Sequence, residues 1–288
     1  MRTIIVSVAL LLLAGPAAAE AAPLEVVAAE NVYGDIASQI GGAHVSVTSI
    51  LSDANADPHL FGPGTQNALA VATARLVIQN GVGYDAFMSK LERAAPNGKR
   101  IGVTIADVLG VHGRDANPHL WYDVPALGRI AGAIANGLER SDPPRARAYR
   151  TGLRRFTASL LPLQREVAQI KKSFRGKPVA YTEPLPGYLI AASGLKNLAP
   201  TSFTRAIENG TEPSPQAVAA MGALMTERRV RVLLYNSQAV SPITTRVREA
   251  AAKAGIPVVA VTETLPAHRT FQQWQLAQAK ALYRALSR

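Results

Sequence analysis

The 288-residue chain carries 31 Lys+Arg against 20 Asp+Glu, a formal net charge of +11, with 48% hydrophobic residues and no cysteine. The missing thiol excludes disulfide scaffolds, Cys-ligated zinc or iron–sulfur centres, thiol catalysis and a lipid-bearing N-terminal cysteine. The apolar fraction is that of a folded globular protein, and the length suits two modest domains or one large one.

The chain opens with Met1-Arg2-Thr3, an apolar run from Ile4 to Leu13, and small residues through Ala17-Ala18-Ala19 ahead of Glu20. A positive start, about ten apolar residues and an A-x-A end are the parts of a secretory signal, whereas a spanning helix needs about 20. The sequence therefore predicts a signal peptide over residues 1–19, cleaved near Ala19, and a mature chain in the periplasm.

Short β-rich runs then alternate with helical ones. The first half reads Leu24 to Ala28, a helix from Val32, Val45 to Leu51, a helix from Thr65 to Ala74, Leu76 to Gln79, and Arg100 to Thr104. Next comes the clearest helix of the chain. Leu153, Phe156, Leu160, Leu163, Val167, Ile170 and Phe174 recur at steps of three and four and form one apolar stripe. Asp142-Pro143-Pro144 starts it and Gly176 with Pro178 closes it. About 30 residues of helix run roughly 45 Å, and Pro162 is expected to kink it near the middle. The second half repeats the alternation: Val179 to Thr182, a short helix through Leu189, a helix from Ser214 to Arg229, Val232 to Tyr235, Thr244 to Ala254, Val258 to Val261, and a last helix from Thr270. Such alternation implies parallel sheets covered by helices. The expected fold is α/β, two lobes with mainly parallel sheets flanked by helices and joined by one long linker helix. The divisions are a signal peptide at 1–19, an N-terminal lobe at 20–142, the linker helix at 143–175 and a C-terminal lobe at 176–288.

The positive charge belongs to that linker. Between Arg145 and Lys177 there are ten basic residues and one acid, Glu166, so the rest of the mature chain is close to neutral. The basic residues lie mostly off the apolar stripe, as a solvated outer face, with contact with an anionic membrane surface as the alternative, and no nucleic-acid partner is expected.

Two short duplications carry the chemistry. Asp57-Pro58-His59-Leu60-Phe61 is echoed by Asn117-Pro118-His119-Leu120-Trp121, and Val179-Ala180-Tyr181-Thr182-Glu183 by Val259-Ala260-Val261-Thr262-Glu263. Each His follows a proline, which holds the preceding backbone extended. Each Glu directly follows a β-branched run, at the strand's carboxyl end where α/β folds place function. Two imidazoles and two carboxylates converging on one point would form a four-ligand site for a first-row divalent metal. His44, His112 and His268 read as surface or packing residues, and Glu212 as part of a helix start with Ser214-Pro215. The rival reading is a secreted metallohydrolase with a two-His/carboxylate site, but no H-E-x-x-H or similar motif supplies its acid or base.

The same residues resemble the metal-specific solute-binding proteins of bacterial ABC importers, the zinc and manganese family. Asp57 to Pro63 and Asn117 to Trp121 resemble the first two ligand motifs of that family. Tyr181-Thr182-Glu183-Pro184 with Gly187-Tyr188-Leu189 is similar to the third, and Val261-Thr262-Glu263-Thr264 to the fourth, where the family usually has Asp. The resemblance implies metal ligation by His59, His119, Glu183 and Glu263, and Zn2+ or Mn2+ as transported ligand. It implies delivery to an ABC permease in the inner membrane by a monomeric, non-enzymatic carrier. The pairing of two His with two carboxylates is closer to the manganese members, while affinity order favours zinc.

Overall fold

Strand runs without polar alternation demand cover on both faces, and the computed structural model supplies it with two parallel sheets wrapped in helices. It describes residues 22–53 and 58–288, His59 by its backbone alone. The expected signal peptide and Asp57 of the first motif lie outside the described residues. The first half comprises β1 (Leu24–Glu30), α1 (Asn31–Gly41), β2 (Val45–Leu51), α2 (Thr65–Thr73), β3 (Leu76–Gln79), α3 (Ala86–Ala94), β4 (Ile101–Thr104), α4 (Ile105–Leu109) and α5 (Leu127–Ser141). Two helices follow, α6 (Ala146–Ser159) and α7 (Leu161–Phe174). The second half comprises β5 (Pro178–Tyr181), α8 (Gly187–Ala192), β6 (Lys196–Asn197), α9 (Thr201–Glu208), α10 (Pro215–Thr226), β7 (Leu233–Asn236), α11 (Pro242–Lys253), β8 (Val258–Val261) and α12 (Phe271–Leu286).

Both sheets are parallel and share one topology, β2-β1-β3-β4 and β6-β5-β7-β8. In each, the strand order reverses between the two central strands. Ligands in such sheets sit outside the carboxyl ends of the strands at that reversal. Those ends carry Glu30 and Asn80 in the first sheet, and Glu183, Asn236 and Glu263 in the second.

The linker is one rod with an interruption. Leu160 between α6 and α7 keeps helical angles (φ −76°, ψ −15°), and Pro162 is the second residue of α7. The break falls where the proline predicts it, because its ring and missing N–H interrupt the helical ladder. Leu163, Val167 and Ile170 turn inward from α7, Tyr149 and Phe156 from α6. Four helices, α3, α4, α5 and α9, do not stand out in the sequence pattern. In α5, Gly128, Gly132 and Gly137 lower the intrinsic propensity, yet Ile130, Ile134 and Leu138 bury one face. Gly137 is required by packing, since a Cβ there would stand 2.9 Å from both Leu76 and Val103 side chains.

The largest apolar core runs through both halves, from Leu24 and Ile78 through Trp121 and Phe156 to Val261 and Leu286. Polar links cross the same boundary. Asn31 donates to the Leu265 carbonyl at 2.9 Å and accepts from the Leu265 N–H at 2.9 Å. Gln39 and Gln272 exchange side-chain hydrogen bonds, and Tyr122 donates to the Thr262 carbonyl at 2.7 Å. A shared core with such fasteners favours small tilts over a wide hinge.

The tightest helix contact is α6 on α1, where a Cβ at Gly152 would overlap the Ile40 backbone carbonyl. Backbone cannot step aside as a flexible side chain does, so Gly152→Ala is expected to cost about 2–3 kcal/mol. Gly132→Ala, with open space around its Cβ position, is expected to be neutral or stabilising by up to about 1 kcal/mol. Thermal or denaturant unfolding of the two variants measures the difference, and equal stability of both would contradict this packing.

Candidate metal centre

Asn117 determines the state of His119. Its side-chain oxygen accepts from the His119 backbone N–H at 3.0 Å and lies 2.8 Å from His119 Nδ1. Its amide nitrogen donates to the Pro184 carbonyl at 2.8 Å, which fixes which end of the amide faces the ring. An acceptor beside Nδ1 assigns the proton to Nδ1, and Nε2 then presents a lone pair. The polar residue two positions before the His is thus a tautomer-setting device. Tyr188 donates to the Asn117 carbonyl at 2.9 Å, so this turn is tied to the second lobe at two points.

Nε2 is buried and points at acids. It lies 3.5 Å from Glu263 Oε2 and 3.7 Å from Glu208 Oε2, and it has no hydrogen-bond partner among the described residues. A lone pair facing two carboxylate oxygens in a buried space repels them unless a positive charge stands between. These separations are too long for a well-formed hydrogen bond. They suit a shared ion, since two donors each about 2.1 Å from one tetrahedral metal stand about 3.4 Å apart. Burial works against the imidazolium, but Glu208, Glu263 and Glu183 outweigh it and raise the His119 pKa above the ordinary imidazole value.

The carboxylates are held by their own framework. Glu263 follows β8 and its backbone N–H donates to Gln238 Oε1 at 2.6 Å, as does that of Thr264 at 3.2 Å. Tyr84 donates to Glu263 Oε2 at 2.8 Å and Asn236 donates to Glu263 Oε1 at 2.8 Å. The same Asn236 amide donates to Glu183 Oε2, so one side chain fastens the two duplicated glutamates side by side. Burial and the nearby Glu263 push the Tyr84 phenol far up, which keeps it a donor. The Tyr84, His119 and Trp121 rings meet edge to face around the site, with centroids 5.1–5.7 Å apart.

The sequence-derived set is therefore placed as follows. His119 and Glu263 stand together, and Glu183 joins them through Asn236. Pro58–Leu60 forms a single 3-10 turn, while the His59 side chain lies outside the described residues. The turn borders the Glu263 segment. A cavity of about 550 Å³ is lined by Asp53, Pro58, Leu60, Phe61 and Thr264, and Thr264 donates to the Asp53 carbonyl at 3.4 Å. Among the described residues no group of three or more His, Asp or Glu side chains is placed close enough together to hold a metal ion.

Glu208 is absent from the motif-based set. It ends α9, where the helix dipole favours a cation over a carboxylate. An acid on the last helical turn, followed by Asn209-Gly210, was the available signal. Glu212 is exposed, and Ser214 caps α10 by accepting from the Ala217 N–H at 3.2 Å. His112 is exposed 4.0 Å from Asp107, and His44 packs against Tyr149, as surface or packing residues do.

The carboxylate field around His119 has a consequence for stability in the metal-free protein. A raised folded-state pKa contributes stability that is full below the unfolded imidazole value near pH 6.5 and is lost as pH rises through the folded value. Wild type in chelator is thus expected to lose more stability than His119→Gln over that window. Parallel denaturant curves across pH test this, and superimposable pH dependences would refute it.

A family model described as zinc-uptake complex component A, periplasmic, matches residues 26–285. A putative metal-binding protein of Treponema pallidum is 21% identical over 283 residues, covering 92% of this chain and 88% of that protein. The manganese ABC transporter substrate-binding lipoprotein PsaA of Streptococcus mitis is 25% identical over 237 residues, covering 76% of this chain and 74% of that protein. Among solved structures, the periplasmic zinc binding protein TroA of Treponema pallidum superposes with a TM-score of 0.78 at 18% identity, covering 93% of this chain and 100% of that one. The solute-binding protein FpvC of Pseudomonas aeruginosa in complex with Ni2+ gives 0.77 at 19%, covering 92% and 97%.

Proposed function

Because the chain belongs to the periplasmic zinc-uptake component A family, we propose that it is the solute-binding component of a metal ABC importer. It captures Zn2+ or Mn2+ between its lobes and hands it to a membrane permease. The observation that carries this reading is the buried Nε2 lone pair of His119 facing Glu263 and Glu208 at the spacing of donors around one ion. His119 and His59 supply nitrogen from the first lobe, and Glu183, Glu263 and Glu208 supply oxygen from the second.

Capture follows from these residues. Asn117 keeps Nε2 of the neutral ring available, and an arriving ion displaces whatever proton His119 holds. Asn236 and Tyr84 keep the acids in place before the ion arrives, so little ordering is needed on binding. An ion joining first-lobe imidazole to second-lobe carboxylate closes the lobes by a small tilt, and the permease reads that closed form. The chain acts as a monomeric carrier; it reads as a carrier rather than a hydrolase because Tyr84 and Asn236 fasten the Glu183 and Glu263 carboxylates as fixed donors. Residues 1–19 are the export signal, and no described helix is long and apolar enough to cross a membrane. The mature protein consists of the lobes at 20–142 and 176–288, joined by the linker at 143–175, and works in the periplasm.

Calorimetric titration of the chelator-stripped mature protein with Mn2+ and with Zn2+ is expected to show one tight site for each. His119→Ala is expected to weaken it at least a hundredfold and Glu263→Gln about tenfold or more. Zinc binds more tightly if nitrogen donors and affinity order dominate, while an oxygen-rich set narrows the gap in favour of manganese. Absence of binding by both metals would overturn the proposal.

Asn117→Ala leaves every proposed ligand in place but lets the ring proton move to Nε2. Affinity is expected to fall about 10–100-fold with unchanged stoichiometry, and nitrogen-15 NMR of the metal-free protein is expected to show mixed His119 tautomers. Full affinity in this variant would remove Asn117 from the site.

A further inference from the structure

The linker carries charge that the metal site does not use. Its two helices contain one acid, Glu166, and their basic side chains point outward. Arg147, Arg154 and Arg155 on α6, and Arg165, Lys171 and Lys172 on α7, are all exposed. None of these six forms an ion pair among the described residues, although nearby cations do: Arg150 pairs with Glu139 at 2.6 Å and Arg145 with Asp142 at 3.1 Å. The neighbouring helix extends the field. α12 packs along α7, with Phe174 and Tyr283 rings 5.4 Å apart, and it adds exposed Lys280 and Arg284 with no acid of its own.

At the start of α6 this face becomes concave. A cavity of about 550 Å³ is lined by Arg145, Arg147, Thr151, Arg155 and His44, and no acidic side chain lines it. Guanidinium forks, a hydroxyl and an imidazole around one hollow are donors suited to phosphate oxygens. An exposed pair of helices of like charge also repels itself, and so gains most from an extended anionic surface that neutralises many cations at once.

We propose that the α6–α7 face is a docking surface for anionic phospholipid. Headgroup phosphate occupies the hollow between His44 and Arg155, and the rest of the rod lies against the charged membrane. The apolar stripe faces the core, so contact is electrostatic and reversible, without insertion. Such a contact confines the carrier to the plane in which its permease lies, and it does not depend on metal being bound.

The test is co-sedimentation of the mature protein, metal-free and metal-loaded, with vesicles of phosphatidylcholine alone or with about 30% phosphatidylglycerol. Both forms are expected to sediment with the anionic vesicles only, and to be released as salt is raised from about 50 to 300 mM. Each cation near such a surface changes partition about fivefold. Reversal at four positions, R147E/R154E/R165E/K172E, is therefore expected to abolish retention, and R147A/R155A to reduce it at least tenfold. The milder R154Q/R165Q/K172Q set, checked for an unchanged unfolding midpoint, covers a folding failure of the first. Equal retention on neutral vesicles, or anionic retention unchanged in these variants, would overturn the proposal. So would full displacement by millimolar inorganic phosphate, which would make the hollow a soluble-anion site. Retention on native inner-membrane vesicles without retention on phosphatidylglycerol would give the face to a membrane protein instead. Metal titration of the same variants stays at the wild-type value, so a failure here is distinct from a failure of the metal site.

Discussion

Everything in the cleft depends on one electrostatic constraint. Two carboxylate oxygens stand 3.5 and 3.7 Å from a buried neutral imidazole nitrogen, an arrangement that is unfavourable unless a cation stands among them. Metal-free, a proton on His119 relieves part of the repulsion, as its raised pKa indicates. A divalent ion relieves it more fully, since it attracts all the donors together. The fold thus stores an unsatisfied preference and makes the ion the partner that satisfies it. Hydrogen bonds donated by Asn236 and Tyr84 hold the Glu183 and Glu263 carboxylates against rotation toward water, Gln238 accepts from the Glu263 backbone N–H, and Asn117 fixes the His119 ring.

That preference can be held only because the lobes share a core. Two parallel sheets of the same topology each bring the carboxyl ends of their central strands to the boundary. Ligand frameworks from both sides then meet there: Tyr84 of the first half reaches Glu263, and Asn117 reaches Pro184. A wide hinge would separate these contacts with every opening. The continuous core, the Asn31–Leu265 pair and the α6–α7 rod limit the motion to small tilts. In the 58–62 segment Phe61 packs against Phe87, with ring centroids 5.0 Å apart.

The two duplications make most of the site legible in the amino-acid sequence. Polar-Pro-His-Leu-aromatic and β-run-Thr-Glu signal chemistry because both combine a rigid local backbone with a ligand-type side chain. Strands are legible for a similar reason, as uninterrupted apolar runs between turn residues. Glu208 is hidden because a lone Glu at a helix end has no local partner, and only the tertiary fold brings α9 against the His119 loop. Tyr84 and Asn236 are hidden likewise, since supporting a carboxylate 179 or 27 residues away leaves no trace in sequence spacing. The helix α5 is masked by its glycines, which lower propensity but answer the close approach of Leu76 and Val103. Pro162, by contrast, acts through its own ring and missing N–H, so its effect on the linker can be read directly.

A protein of net charge +11 that captures a dication meets long-range repulsion, and the distribution of charge reduces it. The excess cations sit on the outward face of α6–α7, with Tyr149, Phe156, Leu163, Val167 and Ile170 between them and the interior. Exposed charges are screened over about 8–10 Å in salt water, whereas buried pairs are screened far less. An ion entering the cleft therefore responds chiefly to Glu183, Glu208 and Glu263, and only weakly to the distant rod. Segregation lets one chain present a cation-binding interior and an anion-seeking exterior together. Moving one of the same cations to Asn209, which lines a cavity with Asn117, Pro184 and Glu208, would oppose capture without changing net charge.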